Sequence, residues 1–111
     1  MEDPQGLNMR FGLVVTNERN GDSARALLEA ALERGWECRC FLTDRGALLL
    51  KDAAFIASPA FAKTNIAVCE LSVERFENLG LHARNIDAHV VVGGQYQDAE
   101  LVRNSDRVLV L

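Results

Sequence analysis

Residues 65–80, Asn-Ile-Ala-Val-Cys-Glu-Leu-Ser-Val-Glu-Arg-Phe-Glu-Asn-Leu-Gly, constrain the fold more than any other stretch of this chain. Residues 65–68 form a short apolar run that suits a buried strand, and the stretch after it reads as a helix that Gly80 ends. No cluster of turn residues separates the two. The strand therefore runs straight into the helix, and Cys69 marks the joint. The rest of the chain repeats this strand-then-helix pattern, which belongs to a parallel sheet covered on both faces.

Residues 10–16, Arg-Phe-Gly-Leu-Val-Val-Thr, predict a first strand buried on both faces. Residues 17–22 are turn-rich and carry Asn20-Gly21, and Asp22 or Ser23 is a suitable helix cap. The helix expected over 24–34 places Leu27, Leu28, Ala31 and Leu32 on one face, with Arg25, Glu29 and Glu33 largely away from it. Gly35 is suited to end it as a left-handed cap. Residues 36–42 alternate: Trp36, Cys38, Cys40 and Leu42 point one way, and Glu37, Arg39 and Phe41 the other. A turn at 43–46 and a helical turn at 47–51 follow, while 52–57 fits either helix or strand. Ser58-Pro59 then opens a short helix that ends near Thr64. Beyond Gly80 come a connection at 81–86, a strand at 88–92 leading into Gly93-Gly94, a helix at 95–103 and a closing strand at 107–111.

A length of 111 residues suits one domain, expected over 9–111. Residues 1–8 are polar, contain Pro4 and Gly6, and read as a loose tail, with Met9 a plausible start. The composition, 49% apolar and 25% charged, is that of an ordinary soluble globular protein. A formal net charge of −4 argues against nucleic acid or an anionic membrane surface as the main partner. No apolar run is long enough to span a bilayer, and the N-terminal residues lack the apolar core of an export signal. Reduced thiols in the cytoplasm are therefore expected for Cys38, Cys40 and Cys69. Their odd number fits poorly with a purely structural set of disulfides.

In an open parallel sheet, sites form beyond the carboxyl ends of the strands. Four loops leave that edge: 16–21, 43–46, the Cys69 joint and 93–96. Cys69 is the strong nucleophile among them, near the first turn of a helix whose N–H groups stabilise a thiolate. The competing reading is a small buried hydrophobe, which is what most free cysteines are. Glu70 favours that reading, because an adjacent carboxylate raises a thiol pKa. Arg75 is six residues on, about 240° around the helix axis, and is not expected to reach the sulfur.

Gly93 and Gly94 permit close backbone approach, and their N–H groups are suited to an anion. Asp44 reads either as a turn residue or as part of the site. Tyr96 reads either as an ordinary loop aromatic or as a cap over the pocket. Cys38 and Cys40 lack metal-ligating partners at usable spacing and read as core packing. His82 falls in a connection and His89 in a buried strand, so surface and core explanations outweigh catalysis. The first loop lacks the glycine patterns that cradle phosphate, and Glu18 and Asp22 would repel it.

Taken together, residues 9–111 resemble the DsrE/DsrF-like family, which includes the TusD-type sulfur-relay proteins. The resemblance is carried by residues 10–16 with the helix after them and by Phe41-Leu-Thr-Asp-Arg-Gly46. It is carried further by Ile66-Ala-Val-Cys69 with Arg75 beyond it, and by residues 101–111 with their Asp106-Arg107-Val108 strand. It implies a three-layer α/β/α sandwich with a five-stranded, mainly parallel sheet. It also implies relay of sulfane sulfur as a persulfide on Cys69, with no metal or organic cofactor. The implied assembly is a homo-oligomer, trimer or hexamer, or a DsrE/F/H-type hetero-oligomer, exchanging sulfur with TusA- or DsrC-type carrier proteins. Two departures stand out. Glu70-Leu71 follows the cysteine where family members often have small residues, and the span from Gly46 to Asn65 is short. Some relatives lack the cysteine, so a non-catalytic subunit or binding module of the same fold is the alternative.

Overall fold

The computed structural model describes residues 9–111, and the tail expected at residues 1–8 lies outside them. Five strands form one sheet: β1 (Arg10–Val15), β2 (Glu37–Leu42), β3 (Asn65–Cys69), β4 (Val91–Gly93) and β5 (Arg107–Val110). Their order is β4-β3-β2-β1-β5, and every neighbouring pair is parallel. The helices are α1 (Gly21–Glu33), α2 (Ala53–Ala57), α3 (Pro59–Lys63), α4 (Glu70–Arg75) and α5 (Gln95–Arg103). The parallel α/β class expected from the strand–helix alternation is the observed one.

Helix α1 starts at Gly21, and neither Asp22 nor Ser23 caps it. A 3-10 turn over Glu18–Asn20 precedes it and hands its hydrogen bonding on, with the Gly21 N–H donating to Glu18 O. The capping side chain belongs to Asn17, which accepts from the Arg19 N–H. The other end matches expectation. The Trp36 N–H donates to Ala31 O and the Gly35 N–H to Leu32 O, with Gly35 at φ 79. This pairing satisfies carbonyls that the last turn leaves open.

Residues 52–57, which fitted helix or strand equally, become α2 because the Asp52 carboxylate accepts from the Ala54 and Phe55 N–H groups. Ser58 caps α3 through its Oγ, with Pro59 at the first position. The turn after β2 tightens into a 3-10 helix over Asp44–Lys51, which crosses the end of β1 so closely that a Cβ on Gly46 would lie 1.9 Å from Val15 O. Only glycine fits there.

Alternation along the strands divides the sheet into two unequal faces. Leu13, Val15, Cys38, Cys40, Leu42, Ile66 and Val68 point to one, where they pack with Leu28 of α1, Phe55 of α2 and Phe61 of α3. Ala24, Leu28 and Ala31 are the buried apolar residues of α1, with Leu27 and Leu32 flanking them. The second face carries a small cluster of Val14, Phe41 and Leu101, with Ala67 and Cys69 against it.

The connection explains the difference. Helix α5 leads from β4 at one edge to β5 at the other, so it must cross β3, β2 and β1. Four strand spacings are about 19 Å, whereas nine residues of helix are about 13 Å long. A single short helix therefore covers the middle of this face and leaves its margins open. Val91 and Val110 are 52% and 62% exposed.

The fourth strand is shorter and later than the expected 88–92. The Asp87 side chain accepts from the His89 N–H at 2.8 Å, and Asp87 O from the Val90 N–H at 2.9 Å. That turn consumes the donors a strand would need. His89 is consequently exposed and not part of a buried strand.

Candidate functional site at the carboxyl edge of the sheet

Cys69 is the last residue of β3 and the N-cap of α4. Its backbone remains extended, at φ −68 and ψ 122, while the next residue is already helical. The side chain is half-buried against the small cluster of the second face. Burial pushes the Cys69 thiol up. The Ser72 hydroxyl, the N–H groups of Ser72 and Leu71, and the Thr43 hydroxyl more than offset this and hold it below the ordinary value of 9.0. The adjacent Glu70 carboxylate, expected to raise the thiol, is exposed and does not reverse the balance.

Ser72 is itself fixed. It is buried, and its Oγ accepts from the Asp44 N–H at 2.8 Å. With that lone pair taken, its proton is left to donate to the sulfur. Asp44 adopts φ 52, the left-handed region that Asp tolerates better than most residues. Its carboxylate pairs with Arg75, whose guanidinium also lies 5.6 Å from the centre of the Phe76 ring. The turn after β2 is thereby tied to α4 at two points, with Arg75 engaged by Asp44 and not by Cys69.

Gly93 stands beside Cys69 in the β3–β4 register. Gly94 precedes α5, and its N–H already donates to Gln97 Oε1 at 3.1 Å. The same Gln97 oxygen would lie 2.1 Å from a Cβ on Gly93, so the glutamine side chain occupies the space above Gly93, while that above Gly94 is open. Tyr96, in the first turn of α5, is 65% exposed.

Cys38 and Cys40 are of a different kind. Both are buried; burial, then Glu37, pushes Cys38 up to about 11, and burial, then Cys38, pushes Cys40 up to about 12.

Two residues that matter to the sulfur were not anticipated: Ser72 and Thr43. Ser72 falls three residues after the N-cap, where a helix presents a free N–H, so its position was legible. Thr43 follows Leu42, which pairs with Val68, so it flanks Cys69 only once the β2–β3 register is known.

No family model matches the chain, and no curated protein matches it in sequence. Among solved structures it is similar to the crystal structure of the YchN protein from E. coli, with a TM-score of 0.64. That match covers 93% of this chain and all of the other, at 14% identity. The fold is DsrE-like. At this identity the likeness concerns the path of the backbone, and the chemistry has to be argued from the residues above. Among the described residues, no helix is long and apolar enough to cross a membrane.

Proposed function

We propose that this chain is a sulfur carrier or sulfurtransferase that relays sulfane sulfur as a persulfide on Cys69. The observation that carries the reading is the half-buried thiol at the carboxyl edge of the sheet, at the N-cap of α4, which Ser72, Leu71 and Thr43 hold below its ordinary value. The DsrE-like fold supports it.

In the forward step the Cys69 thiolate attacks the outer sulfur of a donor persulfide, R–S–S⁻. A sulfur–sulfur bond forms to Cys69, the donor's sulfur–sulfur bond breaks, and R–S⁻ leaves. In the second step an acceptor thiolate attacks the outer sulfur of Cys69–S–S⁻ and restores the Cys69 thiolate. Neither step has net oxidation, and neither needs a metal or an organic cofactor. In the first step the three donor residues favour the nucleophilic thiolate form of Cys69; in the second they stabilise Cys69 as the leaving thiolate. Gly93 lies beside the sulfur, and Gly94 could join the donors once Gln97 released its N–H. Asp44 shapes the opening through Ser72, and Tyr96 stands at the same sheet edge.

The partners in this reading are TusA- or DsrC-type carrier proteins in the cytoplasm, and the working form is a homo-oligomer, trimer or hexamer, or a DsrE/F/H-type hetero-oligomer. Exposed Val102 of α5 and Val108 and Val110 of β5 give a surface for such assembly. The same valines favour a second reading, a non-catalytic subunit whose oligomeric surface is its function.

Intact mass spectrometry after polysulfide treatment separates the two. Added sulfur on the wild type, absent from Cys69→Ser, is the expected result. A wild type that gains none, or a Cys69→Ser protein that gains as much, overturns the relay.

A further inference from the structure

The thinly covered face of the sheet holds a cavity of about 270 Å³, distinct from the cysteine joint. Its floor follows the strand register. Arg39 and Asn65 pair at the amino end of β2 and β3, and Phe41, Ala67 and Val91 continue across the sheet. Helix α5 supplies the wall through Gln97, Glu100 and Leu101, which share one helix face at i, i+3 and i+4. The volume lies just under the range of about 300–1,000 Å³ usual for ligand pockets, so an occupant must be small.

Two charged groups of opposite sign belong to this cavity. Arg39 is on the floor, and its Nε–H is buried with no partner among the described residues. The outer part of the same guanidinium is satisfied, with Nη2 donating to Glu37 Oε1 at 3.1 Å. Leaving a buried donor of a charged group unpaired is unfavourable, and a carboxylate oxygen is the acceptor that suits it best. Glu100 is on the wall. One of its oxygens, Oε2, accepts from Asn104 Nδ2 at 3.3 Å and faces Arg103 Nη2 at 3.7 Å. Its other oxygen has no hydrogen-bond partner among the described residues. It would repel a simple anion and attract an ammonium. Beside them lies an apolar floor of Phe41, Ala67 and Val91, with Leu101 on the wall.

We propose that this cavity binds a free α-amino acid with an apolar side chain. The ligand carboxylate accepts from Arg39 Nε–H, the ammonium donates to Glu100, and the side chain lies over Phe41, Ala67 and Val91. His89 closes the β4 side of the cavity. Its Nε2 lies 3.0 Å from Phe61 O and 2.7 Å from Thr64 O. With two acceptors facing it, Nε2 carries the proton, and the ring holds the loop before β4 in place.

Leucine is the probe, followed by the amide shifts of Ala67 and Val91 in proton–nitrogen correlation spectra. Saturable shifts at those residues are expected with leucine and are expected equally in Cys69→Ser, since the cavity does not depend on the thiol. Arg39→Gln should weaken leucine at least about tenfold. 4-Methylpentanoate, which lacks the ammonium, should bind more weakly to the wild type than leucine and lose less on Glu100→Gln. Leucinamide, which lacks the carboxylate, should not saturate. No saturable shift with leucine overturns the site, as does full-strength binding by Arg39→Gln with an unchanged spectrum elsewhere. Equal affinity for 4-methylpentanoate overturns the amino-acid assignment. Circular dichroism of both variants separates lost binding from lost folding. If Arg39→Gln unfolds, Glu100→Gln, partly exposed on the cavity wall, still tests the site, and full-strength leucine binding by it overturns the amino-acid assignment.

Discussion

The two faces of the sheet hold the same residue type to opposite purposes. Cys38 and Cys40 lie on the face that α1 to α3 cover, and Cys69 on the face that α5 alone crosses. On the first face, burial removes the donors that could stabilise a thiolate, and both thiols are pushed far above neutral pH. On the second, incomplete cover and a strand-to-helix joint leave the sulfur partly exposed amid hydroxyl and N–H donors. Reactivity follows from the cover and the donors a site keeps, not from the presence of sulfur.

The largest expected effect tests whether the thick face is the structural core. Leu28 is fully buried at the centre of α1's apolar side. Leu28→Asp places a charge there and should abolish the cooperative unfolding transition, a cost of more than about 4 kcal/mol. A normal melting curve for that variant would refute the assignment of the face. Leu101 is the counterpart on the thin face, and Leu101→Ala should cost about 2–3 kcal/mol in urea denaturation, near the low end for buried leucines. A loss as large as that of Leu28→Ala would mean that the faces are not energetically unequal.

Next in size is the difference among the thiols. Cys38 sits near 11 and Cys40 near 12, while Cys69 lies below 9.0. Two units or more separate them, so at neutral pH the thiolate fraction of Cys69 should exceed that of either by more than about a hundredfold. Alkylation by iodoacetamide, followed by peptide mass spectrometry, reads this directly. Comparable rates for all three would remove the distinction between the faces. Ser72→Ala removes one donor and should raise the Cys69 pKa, slowing alkylation at neutral pH by about tenfold at most, since the sulfur is partly exposed. The pH midpoint of the reaction should move up with it, which a loss of access alone would not produce.

Much of this arrangement is visible in the sequence. The run from Ile66 to Val68 feeding a helix placed Cys69 at the sheet edge, and the alternation of residues 36–42 assigned Cys38, Cys40 and Phe41 to their observed faces. Local rules sufficed there, because strand periodicity and helix caps depend on neighbours in the chain. They failed where a side chain competes for backbone donors, as Asp87 does at the start of β4 and Asn17 before α1. They also could not show that one helix must cross three strands, because that depends on β5 joining the sheet beside β1. The donors from Thr43 and the occupation of Gly94 by Gln97 are long-range or rotameric facts of the same kind.

The smallest effect concerns the outer edge, where polar contacts take the place of packing. Strand β5 is exposed along its whole length, yet it stays beside β1. Asp106 accepts from the Arg10 N–H at 2.8 Å and from Arg10 Nη2 at 3.1 Å, and these hydrogen bonds hold its carboxyl below the usual range. A carboxylate with a depressed pKa contributes stability that is present above its unfolded value and lost as pH falls through the folded one. Asp106→Asn should therefore lower the urea midpoint slightly at about pH 6, and that gap should close as the pH approaches the folded pKa, below the ordinary carboxylate value. Added salt should narrow it as well, because both side chains are exposed. A gap unchanged by pH would mean that the strand is held instead by backbone bonds, such as Leu111 N–H to Val14 O, and that the thin face needs no ionic clamp at its margin.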